Sequence, residues 1–452
     1  MEQDERSGEL VILLGCLFLV PCLGWLVSTN VALGDEGELV AQFAYLAIGL
    51  GILLFVLILG SPLIAGTNRA RMSLVFGPLV RLVMLLLAAS VLIQGGLVVY
   101  SVFTLEAVAI NRIHPGLLLA VGLGALFACL MLIRSAFGLF KVEPMAIRGR
   151  LLAGNEAPEM IADIHRLADQ LGAEKPDHVV VGLEPNFFVT VAPISLVGSD
   201  GMLHGKTLFI SLGLMRLLSQ EEFEAVIGHE LGHFRGEDVA YSMKFAPTYA
   251  RLSHALAHLG ESTGSGAADL SRIPATVALS LCLTKFATSE RTVGRQRELL
   301  ADQAGASVAS PKALATALLK VGLFSSNWNW LTNEHIAILG EGRTYSRLSE
   351  TYRDVCQLNG EVAWDDVLGQ LGAVVQSHPI DTHPPLVERL ESLGISLWDM
   401  QPDDCSPASD TAIKLIATAQ EIDEDLSDLE AQWLLAIGAA SLPTAALTEE
   451  QV

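Results

Sequence analysis

Four long apolar stretches precede residue 141, over residues 10–33, 39–65, 79–103 and 117–140. They constrain the chain more than any other feature. The hydrocarbon core of a bilayer offers no water to an open backbone, so a spanning segment closes its own hydrogen bonds as a helix of about 20 apolar residues. Each stretch is long enough, and residues 1–150 read as a transmembrane region of four helices. Charge agrees: 17% of the chain is charged, well below the roughly 25% of an ordinary soluble protein. The first stretch reads as a retained span. Its N-terminal flank is acidic with a single Arg6, whereas a cleaved leader carries a basic flank and a shorter apolar core.

Lys and Arg in the short loops set the orientation. The loop after the first stretch has none, the loop after the second holds Arg69 and Arg71, and the loop after the third has only Arg112. The fourth stretch is followed by Lys141, Arg148 and Arg150. The N-terminus and everything after residue 141 are thus expected in the cytoplasm. Arg134, near the end of the fourth stretch, reads as a snorkelling side chain. A net charge of -22 leaves no basic face for nucleic acid. Residues 396–452 hold one Lys, Lys414, among many acidic residues and read as a solvated acidic tail, the run 421–425 included, with residues 410–419 and 428–435 as helix candidates within it. The six cysteines contain no C-x-x-C pair, which excludes a cysteine metal site of that kind and a disulfide framework.

After residue 157 the pattern becomes that of a water-soluble domain. Ile161, Ile164, Leu167 and Leu171 predict a helix over 159–171. Residues 178–183, 187–191 and 207–212 predict strands. Ser219 with Glu222 three residues on is a capping box that opens a helix. On that helix lies His229-Glu230-Leu231-Gly232-His233. Residues four apart share a helix face, so both imidazoles can hold one metal. Glu230 lies where it can take a proton from a metal-activated water and pass it to a leaving amine. This is the H-E-x-x-H pattern of metalloproteases. A catalytic zinc needs a third protein ligand. Position 239 is Val, which removes the three-histidine class. The carboxylates of Glu237, Asp238, Glu290 and Glu298 are the candidates, the first two lying awkwardly close to the same helix end. Glu298 and Asp302 share a face of a helix-forming run, so one can bind metal while the other orients a ligand histidine.

At these residues the chain resembles the HtpX-like membrane metalloproteases, the gluzincin family that also includes the type I CAAX prenyl proteases. Four segments within 151–393 carry the resemblance in order. They are Gly205-Lys206-Thr207-Leu208-Phe209-Ile210-Ser211, the His229–His233 pentapeptide, Glu298-Leu299-Leu300-Ala301-Asp302, and Thr382-His383-Pro384-Pro385-Leu386-Val387-Glu388-Arg389-Leu390. The resemblance implies a mainly α (α+β) gluzincin domain over 151–395, with a small sheet beside the H-E-x-x-H helix. It implies one Zn2+ per chain on His229, His233 and Glu298, with Asp302 behind a ligand histidine. It places His383 and Arg389 near the active site, His383 holding the oxyanion, with His378 as a rival lacking an Arg six residues on. Asn186 would sit on the strand that pairs with extended substrate.

The implied activity is a membrane-bound zinc metalloendopeptidase acting on membrane or membrane-associated proteins. Quality control at a bacterial inner membrane, with the catalytic domain in the cytoplasm, is the implied role. The membrane plan departs from the family, which places two spans between the H-E-x-x-H and the E-x-x-x-D. Here the insert at about 240–290 offers residues 247–259, read as an amphipathic helix, a flexible link over 261–266, and residues 274–287, too short for a span. A CAAX-type processing protease has more spans than these four. A catalytically silent membrane scaffold would have lost Glu230 or Glu298.

Overall fold

The structure, a computed structural model, describes residues 2–31, 35–66, 69–138, 144–199, 201–235, 252, 266–358, 368–369 and 384–441. The chain divides into two compact units. One comprises Met1–Lys141 with Lys244–Val293, the other Val142–Met243 with Gly294–Val452.

The first unit holds α1 (Glu2–Asn30), α2 (Asp35–Ala65), α3 (Arg69–Leu105) and α4 (Pro115–Gly138). Four stretches in them are long and apolar enough to cross a membrane: Gly8–Asn30, Asp35–Ser61, Leu74–Val108 and Pro115–Arg134. They coincide with the four apolar stretches of the sequence. Their outward faces are apolar too, with Val11, Leu19, Val56 and Phe127 all exposed, as side chains facing lipid must be. Arg134 is exposed in the last turns of α4. A π-helical turn, Glu106–Ile110, ends α3 and closes on Asn111 in the left-handed conformation (φ 52°). The Glu106 carboxylate accepts the His114 amide at 2.8 Å, which fastens the loop into α4.

A further helix, α8 (Gly266–Val308), has its residues up to Val293 in this unit. Ser280 Oγ donates to Glu9 at 2.6 Å, and Ala278, Leu279 and Cys282 are buried. The apolar residues 274–287 therefore lie within one continuous helix. That helix is not among the four long and apolar enough to cross a membrane. The amphipathic helix expected over 247–259 lies outside the described residues apart from Leu252, as does the link over 261–266 apart from Gly266.

The second unit opens with β1 (Met145–Ile147), β2 (Arg150–Leu151) and α5 (Pro158–Leu171). Pro158 starts α5, Gly172 ends it at φ 61°, and Met160, Ile164, Leu167 and Leu171 form its buried stripe. Then come β3 (His178–Gly182), β4 (Phe188–Thr190), β5 (Ile194–Leu196), β6 (Met202–Leu203) and β7 (Thr207–Ser211), and after them α6 (Leu212–Met215) and α7 (Gln220–Gly232). Four strands form a sheet in the order β2-β3-β7-β4, with β3 and β7 parallel and β4 antiparallel on the edge. The other three form a second sheet in the order β1-β5-β6. The helical remainder is the end of α8, α9 (Pro311–Gly340), α10 (Leu348–Leu358), α11 (Leu386–Ser392), α12 (Pro402–Cys405) and α13 (Ala419–Ala436).

Strands β3, β4 and β7 fall where β-branched and aromatic runs predict them. Strands β1, β2, β5 and β6 are two or three residues long, too short to show a period of two. The capping box on α7 is formed. Ser219 Oγ accepts the Glu222 amide at 3.2 Å, and the Glu222 carboxylate accepts the Ser219 amide at 2.7 Å. Lys320 of α9 donates to the same carboxylate at 2.8 Å, so the buried cap is also neutralised.

The C-terminal segment corrects the expectation of a solvated tail. Ala412, Ile416, Ala419, Ile422 and Leu426 join the same buried cluster as Ile164, Ile210, Leu231 and Tyr352. Asp423, in the middle of the acidic run, is fully buried. It accepts from Ser349 Oγ at 2.5 Å and from Arg216 at 3.2 Å. The acidic residues Glu421, Glu424 and Asp425 stay exposed. Charge composition alone hid an amphipathic helix whose two inward carboxylates, Asp423 and Glu430, each face a guanidinium, Arg216 and Arg148.

Candidate metal and proteolytic site

Two helices build the site. α7 carries His229 and Glu230 and is capped at its C-terminal end by His233, and α8 carries Arg297, Glu298 and Asp302. They cross at glycines. A Cβ on Gly228 would meet Val308 Cγ2 at 2.4 Å. One on Gly305 would meet the Ala225 carbonyl oxygen at 2.4 Å, and one on Gly232 the Ala301 Cα at 3.1 Å. Only hydrogen at these positions lets the two backbones approach so closely. That approach carries Glu298 to the histidines.

Ligand atoms of His229, His233 and Glu298 lie within 4.8 Å of one another, and all three residues are buried. His229 Nε2 is 3.6 Å from one Glu298 oxygen, and His233 Nε2 is 3.5 Å from the other. The imidazole rings stand 90° apart at 5.0 Å. Asp302, with no exposed surface, lies 2.9 Å from His229 Nδ1. This pair fixes the tautomer, since a proton on Nδ1 donates to Asp302 and leaves the Nε2 lone pair facing Glu298.

Arg389, from α11, grips Asp302 with two bonds, Nε at 2.9 Å and Nη2 at 2.6 Å. Burial pushes the Asp302 carboxyl up, but the bonds from Arg389 and His229 outweigh it and hold the carboxyl below its usual range. Burial likewise disfavours the Arg389 cation, and Asp302, Glu298 and Glu230 more than restore it. Arg297 places Nη2 3.4 Å from His233 Nδ1, a long contact.

A cleft of about 640 Å³ opens onto these groups. His229, Glu230, His233, Arg297 and Arg389 line it, and so do Pro185, Asn186, Phe187, Phe188 and Val189, which lead into and form part of edge strand β4. The Phe188 ring stacks on Phe209 at 4.7 Å, which anchors β4 to its neighbour β7.

The structure therefore gathers His229, Glu230, His233, Glu298, Asp302 and Arg389 at one place, with Asn186 on the same cleft. His383 and its rival His378 lie outside the described residues. Sequence reasoning passed over Arg297 and the crossing glycines. The glycines left a signal: Gly228 and Gly232 are four apart on α7, and Ala301, Ala304 and Gly305 run along one side of α8. Small residues at helical spacing mark a close crossing.

Four lipid-crossing helices and a mainly helical domain with a buried His-His-Glu group beside a small sheet define a membrane metalloprotease. The chain belongs to Peptidase family M48, whose model matches residues 155–395. It is 27% identical over 301 residues to a protein named Protease HtpX homolog from Thermococcus sibiricus, covering 62% of this chain and 90% of that one. A Methanocaldococcus jannaschii protein of the same name is 28% identical over 240 residues, 47% of this chain and 80% of its own. Protease HtpX homolog 1 of Streptomyces coelicolor is 31% identical over 188 residues, 40% and 59% respectively. No solved structure matches the chain significantly.

Proposed function

We propose that the protein is a zinc-dependent endopeptidase that cuts membrane or membrane-associated proteins at the cytoplasmic face, in protein quality control. The observation that carries this is the buried group of two imidazoles and one carboxylate, with its ligand atoms within 4.8 Å. Two nitrogens and one oxygen on buried side chains beside an open cleft suit zinc with a position left for reactants. His229, His233 and Glu298 would hold one ion per chain. When bound, it would supply a Lewis acid that acidifies water and polarises a peptide carbonyl.

The remaining steps belong to side chains. Glu230, which lines the cleft, takes the proton of the attacking water on its carboxylate and returns it to the leaving amine nitrogen. Asp302 holds His229 in the ligating tautomer, and Arg389 in turn holds Asp302. Positive charge from Arg389, with His383 as the hydrogen-bond donor, stabilises the developing oxyanion. An extended substrate adds as a strand along β4, with Asn186 at its end. The basic residues Arg69, Arg71, Arg148 and Arg150 favour the cytoplasm for the second unit. We take the protease domain to begin near residue 151 and to include the C-terminal helices beyond 395, since these complete its core.

The test is metal content and casein cleavage by detergent-purified protein. Wild type should carry one zinc and cut casein, Glu230→Gln should keep the zinc and lose activity, and Glu298→Ala should lose the zinc. A wild type that holds no metal and behaves like Glu230→Gln would replace this reading with a silent scaffold.

A further inference from the structure

The loop Glu184-Pro185-Asn186, whose Pro185 and Asn186 line the cleft, is held from behind by residues outside the family match of 155–395. Arg148 pairs with Glu184, and its Nε lies 2.8 Å from the Glu430 carboxylate of α13. The Arg148 guanidinium also lies over the Trp433 ring, 3.9 Å from its centroid. Glu430 is almost wholly buried, while Glu184 is about half exposed. Arg148 is itself fixed. Its neighbour Gly149 packs so close to β3 that a Cβ would stand 2.7 Å from Val180 Cγ1, and a Cβ on Gly182 would meet the Arg148 carbonyl oxygen at 2.9 Å. α13 also closes directly on the loop, since Leu426, Leu429 and Glu430 line a narrow crevice with Leu183 and Glu184.

The geometry points to α13 as a positioning element for substrate: Glu430 and Trp433 hold Arg148, and Arg148 holds Glu184 so that the cleft wall and edge strand β4 present a fixed edge to an extended peptide. The chain behind Glu184 is short. Asn186 donates its amide to the Glu184 carbonyl at 2.8 Å in a tight turn, and Phe188 begins β4 two residues later. A shift at Glu184 is therefore passed to the strand rather than absorbed. A partly buried guanidinium held between two carboxylates and a ring has little freedom to move. Removing the buried carboxylate frees it. None of these residues touches the metal ligands, so their loss should weaken substrate capture and leave the chemistry alone.

This rests on the protease reading for the use of the cleft, and the experiment separates the two. Full-length protein in detergent is assayed on casein, and binding of fluorescein-labelled casein is measured in the Glu230→Gln background. Glu430→Gln should raise KM, and the Kd in that background, by roughly tenfold, with kcat and metal content near wild type. Arg148→Lys should fall between, because it keeps the charge without the planar fork. Asp425→Asn breaks the exposed Arg150 pair on the same helix and should leave KM at the wild-type value. The inference is overturned if Glu430→Gln folds and leaves KM and Kd unchanged. It is equally overturned if kcat and melting temperature fall and KM rises by the same amount in Glu430→Gln and Asp425→Asn alike. A wild type that holds metal but neither cuts nor binds casein removes the protease reading and this inference with it.

Discussion

Gly305→Ala is the sharpest test of how the site is assembled. The added Cβ would lie 2.4 Å from the Ala225 carbonyl oxygen and 3.1 Å from the His229 amide nitrogen. Both are backbone atoms of α7, so no rotamer change relieves the clash. Ordinary contact starts at 3.4 Å, so the helices must part by about 1 Å at this crossing. Overpacking of this kind costs about 1–3 kcal/mol of stability. The functional cost is greater, because metal ligation tolerates only about 0.2 Å. Glu298 and Asp302 ride on the displaced helix, while His229 and His233 ride on the other. Losing the partner of a ligand histidine alone weakens metal binding about 10- to 100-fold. With a ligand displaced as well, zinc binding should weaken by at least about 100-fold. The assay is a zinc titration against a competing chelator, with helical content checked by circular dichroism. Gly228→Ala should be milder, since its nearest obstacle is the Val308 side chain and the nearest backbone atom, Gly305 Cα, stands at 3.1 Å, and Gly232→Ala milder still. A folded Gly305→Ala protein that binds zinc within about threefold of wild type would show that the glycine crossing does not set the ligand geometry.

Three further outcomes follow from the same structure. Asp302→Asn should lower zinc affinity about 10- to 100-fold and destabilise the fold by about 3–5 kcal/mol, because Arg389 is left buried without its counter-charge; chelator competition and thermal melting would read both, and near-wild-type values would contradict it. Burial raises the Asp404 carboxyl, but Lys312 and the Gln401 amide outweigh it and hold the carboxyl below its usual range. A depressed carboxylate adds stability above its unfolded pKa of about 3.9 that is lost as pH falls through the folded value. Asp404→Asn should therefore melt earlier at pH 7 by about 1 kcal/mol, with the gap closing below about pH 4; a gap that persists in acid would rule the linkage out. Burial pushes the Cys356 and Cys405 thiols up to about 11 and about 12, so both should resist iodoacetamide at pH 8 until the protein is denatured, as peptide mass mapping would show.

Local sequence decided the elements whose cause is local. Twenty or more apolar residues can only span as helices, so the four membrane segments were legible to within a few residues. Ser219 and Glu222 capped α7, and the four-residue spacing of His229 and His233 put both on one face whatever surrounds them. Composition misled at the C-terminus, because net charge does not say which carboxylate turns inward; Asp423 does, toward Arg216 and Ser349. The third ligand was the real ambiguity. By spacing alone Glu237, Asp238, Glu290 and Glu298 all competed, and resemblance rather than physics favoured Glu298. Tertiary packing brings Glu298 to the histidines. Glycines at 228, 232 and 305 let two helices, whose candidate ligands lie 65 to 69 residues apart in the chain, meet backbone to backbone. A residue's helical face is a property of a few neighbours and can be read from sequence. Which face meets which is a property of the whole packed core, and only the fold decides it.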